Sequence, residues 1–243
     1  MKQFGLIVSE PAQDAALRAS LVELLKQQDI PFTGFTEAPA PLFANLGHTR
    51  GAFLYRAAYA LMQPGQPLPA ALLRAYLSSD ALPGNIVRQY TRLQLSLLPY
   101  FRPGREITPC EGGVSIGENL RILCLADDGT IDVPLPGELW TDISDQCIII
   151  GRCRLIRPYQ QSPILVRRNT LLPVGENDQT TDADDAERLT LHWFHPDGAA
   201  ECTLADGTYY RVTQIGGRVQ YETNATKDWH LLVHAIGGEQ FVR

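Results

Sequence analysis

The sequence predicts an α+β protein, and three observations support that expectation. An apolar strand, an amphipathic helix and a second strand open the chain. Helix-spaced segments then run to about residue 104. From there to the C-terminus, strand-length apolar runs alternate with Gly, Asp and Asn. With 243 residues, 44% hydrophobic and 20% charged, the chain has the apolar content to bury a core.

Residues 2–9 (KQFGLIVS) form the first predicted strand, and Pro11 suits the first turn of a helix. Leu17, Leu21, Leu24, Leu25 and Gln28 fall at i, i+4, i+7, i+8 and i+11, which predicts a helix over 11–28 with its apolar stripe on the strand. Residues 29–35 return as a second strand, and the proline-rich 37–42 closes the unit. A helical insert follows. Its first helix covers 48–63 and stops at Pro64-Gly65, its second runs from Pro69 to Leu77, and its third runs from Asn85 through Tyr90, Leu93 and Leu97 to the prolines at 99 and 103. Arg88 and Arg92, four apart, share one face of the third helix.

The texture then turns to β. Residues 119–126 and 131–135 flank Asp127-Asp-Gly-Thr130, an Asp-Gly turn that predicts a hairpin. Residues 146–157 (QCIIIGRCRLIR) make the longest strand candidate, and 163–168 another. Residues 176–187 hold six acids and no base, and read as an exposed loop or linker. After it, six short runs separated by Asp-Gly, Gly-Gly and Asn-rich turns predict a C-terminal antiparallel β meander over 188–243. The expected organisation is thus 1–104 (α/β and helical), 105–175 (β-rich), 176–187 (acidic linker) and 188–243 (meander).

Charge is sorted into blocks. Residues 38–105 sum to +6, 106–145 to −8 and 146–175 to +5, and 18 arginines stand against 3 lysines. That ratio matches a GC-rich bacterial or phage genome, and it also gives an arginine-rich strand region. Arg152 and Arg154 are two apart and would share a strand face, with Arg157, Arg167 and Arg168 close in sequence. Guanidinium groups recognise phosphate and carboxylate, so these five arginines are the candidate anion-binding site, toward nucleic acid or an acidic protein partner. Pairing with the chain's own acidic blocks is the alternative.

Two further constellations point to hydrolysis. Cys110, in the loop-like 107–113, would serve as a thiol nucleophile if His192, His195, His230 or His234 met it as base. Alternatively, the same histidines with acids would make a metal-dependent phosphodiesterase, although i, i+4 on a strand spans roughly 13 Å, too far for His230 and His234 to share one ion. The five cysteines form no C-x-x-C pair. Phosphate-binding, dinucleotide, zincin and serine-esterase motifs are absent from the sequence. The expectation is a cytoplasmic, non-catalytic binding or assembly protein with an arginine face and no cofactor or metal, without a membrane segment or a signal-like apolar run. The hydrolase is its rival.

Overall fold

Strand β1 (Leu6–Ser9) pairs in parallel with β2 (Phe32–Thr36), and helix α1 (Ala15–Gln27) connects them. The computed structural model describes residues 6–10, 14–38, 67–77, 84–123, 130–133, 138–143, 145–156, 163–176, 178 and 185–243, and over these the protein is mixed and β-rich. Helix α1 begins at Ala15 rather than at the proline, because the Asp14 carboxylate accepts from the backbone N–H of Ala16 and Leu17, both at 3.0 Å. Its Leu21 and Leu25 are buried against β1, while Arg18 lies 5.2 Å over the ring of Phe35. The expected helix over 48–63 lies outside the described residues.

A short strand β3 (Leu68–Pro69) adds to the other side of β1, giving the order β2-β1-β3. Helix α2 (Ala70–Leu77) follows, with Ala70, Leu73 and Leu77 buried, then α3 (Gly84–Ser96) with Val87, Thr91 and Leu95 turned inward. Helix α4 (Leu98–Phe101) is buried at all four positions. The Tyr100 hydroxyl donates to the Ile116 carbonyl at 2.8 Å, tying this helix to the sheet beyond, and burial pushes its pKa up to about 12.

Eight strands follow: β4 (Ile107–Cys110), β5 (Gly113–Ile116), β6 (Leu120–Leu123), β7 (Thr130–Val133), β8 (Leu139–Asp142), β9 (Ile148–Ile150), β10 (Cys153–Ile156) and β11 (Ile164–Arg167). Six make an antiparallel sheet in the order β4-β5-β6-β11-β8-β9, and β7 pairs with β10. The sheet's inner face, through Ile116, Leu120, Ile122, Ile164 and Val166, shares one apolar core with β1, α1, α2 and α4.

Two expectations fail here. The Asp-Gly turn does not join paired strands, because β6 lies between β5 and β11 while β7 takes β10. A turn signal sets where the chain reverses; burial of the apolar faces sets which strands pair. The long strand expected over 146–157 is also broken. Gly151, at φ +67°, bends it, and β9 and β10 join different sheets.

The C-terminal part is two sheets, not one meander. Strands β12 (Thr170–Gly175), β13 (Leu189–Phe194), β17 (Trp229–Ala235) and β18 (Gly238–Phe241) form one, and β14 (Ala199–Thr203), β15 (Tyr209–Ile215) and β16 (Arg218–Thr223) form the other. All pairs are antiparallel except β13 with β17, which is parallel. The parallel register sets Leu189 against Trp229, Leu191 against Leu231 and Trp193 against Val233, so both apolar sets face the same core. Because β12 and β13 are neighbours, the acidic 176–187 is the connection between two strands of one sheet. Asp178 approaches Arg92 at 3.6 Å and Asp185 pairs with Arg102 at 2.5 Å, which fastens this connection to α3 and to the residue after α4.

Candidate functional site

Ser9 and Glu10 leave β1 at the carboxyl end of the parallel sheet, and both are buried. Parallel α/β sheets bind ligands outside the carboxyl ends of their strands, where successive connections diverge; in the order β2-β1-β3 that place lies beside β1. The backbone there is fixed. Ser9 Oγ donates to the Ala38 carbonyl at 2.7 Å, the Glu10 N–H donates to the Thr36 carbonyl at 2.9 Å, and the Ala38 N–H donates to Thr36 Oγ1 at 3.2 Å. A carboxylic acid buried at such an end is a chemical group, since a carboxylate so withdrawn from water must be partnered. Sequence reasoning placed the strand but missed Glu10, although its position one residue past an apolar strand was the available signal.

The arginines of the predicted anion site that the structure describes are divided between the β7–β10 pair and the six-stranded sheet. Arg152 sits in the bend before β10 and Arg154 on β10 itself, where it donates to Thr130 Oγ1 at 3.3 Å; both are exposed. Arg167 ends β11 in the other sheet and pairs with Glu138 at 2.5 Å, and Arg168 pairs with Asp197 at 3.2 Å. Arg157 lies outside the described residues. The earlier arginine block is also engaged within the fold: Arg92 meets Asp29 at 2.6 Å, and Arg105 stacks 4.9 Å over Tyr100. In the acidic block between them, Arg121 lies 4.7 Å over Trp140.

The histidines gather, but as a packed cluster. His192 Nδ1 and His234 Nε2 are 2.9 Å apart, His195 Nε2 is 2.7 Å from Thr141 Oγ1, and the ring of His234 stacks on Phe194 at 4.3 Å. His234 Nδ1 lies 3.0 Å from Glu239 Oε1, an ion-pair distance without hydrogen-bond alignment. His230 points out to solvent. Burial pulls the pKa of His192 down to about 4, with His234 adding to it. Burial also lowers His195, with His234 and Arg168 adding, and it lowers His234 against the opposing pull of Glu239. His192 is therefore neutral at pH 7, so one nitrogen of the His192–His234 contact can accept a hydrogen bond. Among the described residues, no group of three His, Cys, Asp or Glu side chains is arranged to hold a metal ion, and half-buried Cys110 on β4 has no hydrogen bond to a histidine.

A pH dependence follows, with its sign fixed by the lowered values. A histidine whose folded pKa lies below its unfolded value of about 6.5 stabilises the fold above that pH, and this contribution is lost as pH falls toward the folded value. The unfolding free energy from urea melts is expected to fall between pH 6.5 and pH 4, by on the order of 2 kcal/mol from the half-buried His192, and the urea midpoint with it. The drop should shrink in His192→Gln; a midpoint flat across that range would refute it.

No protein-family model and no curated protein matches this sequence. Solved structures do. The chain is similar to a glycoside hydrolase family 31 dextranase of Flavobacterium johnsoniae complexed with glucose, at TM-score 0.62 and 13% identity over 90% of this chain and 34% of that one. It is similar to the cycloalternan-forming enzyme of Listeria monocytogenes in complex with a pentasaccharide substrate, at TM-score 0.62 and 14% identity over 76% of this chain and 23% of that one. A glucosidase II alpha subunit bound to Glc1Man2 gives TM-score 0.60 and 14% identity, over 93% and 31%. The fold is thus one found within carbohydrate-processing enzymes, and the chain spans about a third or less of their length.

These likenesses correct the functional expectation. The non-catalytic arginine-face protein for nucleic acid or an acidic partner gives way, since the fold is one found within glycoside hydrolases and Arg167 and Arg168 each meet a carboxylate of the chain itself. The thiol hydrolase and the metal-dependent phosphodiesterase give way with it. Among the described residues, no helix is long and apolar enough to cross a membrane.

Proposed function

We propose that this chain forms part of a glycoside-processing protein that handles glucose-containing oligosaccharides, with Glu10 as a sugar-facing acid at the carboxyl ends of β1, β2 and β3. The observation behind this reading is the continuous likeness over nine-tenths of the chain to an enzyme solved with glucose and, in a D412A mutant, with isomaltotriose. Glycoside cleavage requires two carboxyl groups flanking the bond, roughly 5 to 10 Å apart. Glu10 offers one buried acid where an α/β sheet takes its ligands. We read the carboxyl ends of β1, β2 and β3 as one place where sugar is met, held by the β-rich part that follows residue 104.

The test is a titration of the purified protein with isomaltotriose, followed by backbone amide shifts. Weak binding is expected, with shifts around Ser9 and Glu10, and Glu10→Gln should weaken it at least tenfold, about 1.4 kcal/mol. Unchanged affinity in Glu10→Gln would remove Glu10 from the site. Silence of the wild-type protein toward glucose oligosaccharides would remove the proposal.

A further inference from the structure

At the junction of the six-stranded sheet with the C-terminal sheets, a polar depression of about 390 Å³ is walled by Asn119, Glu138, Arg167, Arg168 and Asp197. A second groove, of about 710 Å³, shares the Leu139 and Arg168 walls and is lined as well by Gln214, Glu239 and Gln240 and by the apolar Val219, Val233 and Val242. We infer that these adjoining grooves form a binding site for a neutral oligosaccharide, distinct from the carboxyl ends of the parallel strands; the choice of sugar rests on the proposed function above.

Charge balance and hydrogen-bond type both favour a neutral sugar in these grooves. Arg167 is matched by Glu138 at 2.5 Å and Arg168 by Asp197 at 3.2 Å, so the polar depression is locally balanced and has little attraction for a polyanion. Each pair instead sets a group that only donates beside a group that only accepts. Neighbouring hydroxyls of a hexose both donate and accept, and so satisfy the two together. The carboxamides of Gln214 and Gln240 continue the same mixture, and the valines give the sugar's C–H faces an apolar wall.

The ledge is also held in advance. The N–H groups of Arg167 and Arg168 donate to the carbonyls of Asn119 and Leu139, at 2.9 and 2.8 Å. Asn169 Oδ1 accepts from the Asp197 N–H and from Nε1 of buried Trp193, both at 3.0 Å, while Asn169 Nδ2 donates to the Ala199 carbonyl at 2.8 Å. The charged pairs thus stand on backbone fixed by a core tryptophan, which lowers the ordering cost of binding.

The test is the amide-shift titration with isomaltotriose, run on wild-type protein, Arg168→Ala, the double variant Gln214→Ala/Gln240→Ala, and Glu10→Gln, with melting curves for each. Shifts at Asn119, Arg168 and Gln214 are expected in the wild type and in Glu10→Gln. Their midpoint should move at least tenfold upward in Arg168→Ala and in the double variant, with melting temperatures unchanged because an exposed ion pair contributes little to stability. Should Arg168→Ala not melt as wild type, the double variant, which leaves both ion pairs in place, decides. Shifts confined to Ser9 and Glu10, or groove shifts with the same midpoint in the variants, would overturn this site and leave the proposed function standing. Tighter binding of a sulfated glucan than of the neutral one would overturn the neutral-ligand assignment. No shift anywhere in the wild type would overturn the proposed function, and this site with it.

Discussion

Replacing Trp193 by alanine is expected to cost about 4 kcal/mol, the largest loss from any single truncation considered for this fold. Trp193 is fully buried near the C-terminal end of β13, between Leu171 of β12 and Val233 of β17, and its ring packs in the core that the two C-terminal sheets share. Removing the indole empties that volume and takes from Asn169 one of the two donors that hold its side-chain oxygen. The melting temperature should fall by roughly 10 °C, taking about 2–4 °C for each kcal/mol in a chain of this length. Trp193→Phe keeps most of the apolar area and loses the hydrogen bond, so a loss of about 1–2 kcal/mol is expected. Urea melts of the two variants decide the matter; equal losses would mean that the hydrogen bond, not the volume, dominates.

Gly113→Ala is expected to cost about 3 kcal/mol, and the reason is backbone contact rather than torsion. A Cβ on Gly113 would overlap the Ile122 carbonyl oxygen, lie 2.9 Å from its carbon and lie 3.0 Å from the Leu123 Cα. Those atoms belong to β6, which pairs directly with β5, so relief requires the strands to part. Gly112 is the control. It takes φ +77°, so alanine there is strained, but its Cβ would meet only the side-chain end of Ile131, at 3.1 Å. A loss of about 1 kcal/mol is expected for Gly112→Ala. If thermal melts rank Gly112→Ala as the more damaging of the two, the close approach of β5 and β6 is wrong.

The candidate site was legible only in pieces. The strand ending at Ser9 was readable from its apolar run, and with it the place where Glu10 emerges; that β3 joins on the far side of β1 was not, because two residues carry no periodic signal. Arg167 and Arg168 were singled out as part of a candidate anion site, with pairing to the chain's own acids as the alternative. Their partners, Glu138 and Asp197, are 29 residues distant in sequence in each case, and no local pattern links them. The histidines were read as possible bases for Cys110 or, joined across strands with acids, as metal ligands. The parallel pairing of β13 with β17 instead brings half-buried His192 and buried His234 together as one hydrogen-bonded pair.

What the sequence by itself determined is local: a helix over 11–28 from its leucine spacing, which forms over Ala15–Gln27, a change to β texture after about residue 104, and six strands after residue 188 from alternating apolar runs closed by Gly and Asp turns. Hydrogen bonds within a helix and the positive φ of a turn depend on residues a few positions apart, so composition and period suffice. Only the tertiary structure decided the pairing of β6 with β11 and of β7 with β10, the split of the C-terminal strands into two sheets, and the balance of arginine against acid at the groove. Those are settled by which apolar faces meet and which charges are brought together when they do. Both are contacts between distant residues, whose free energy is gained only once the whole chain has folded.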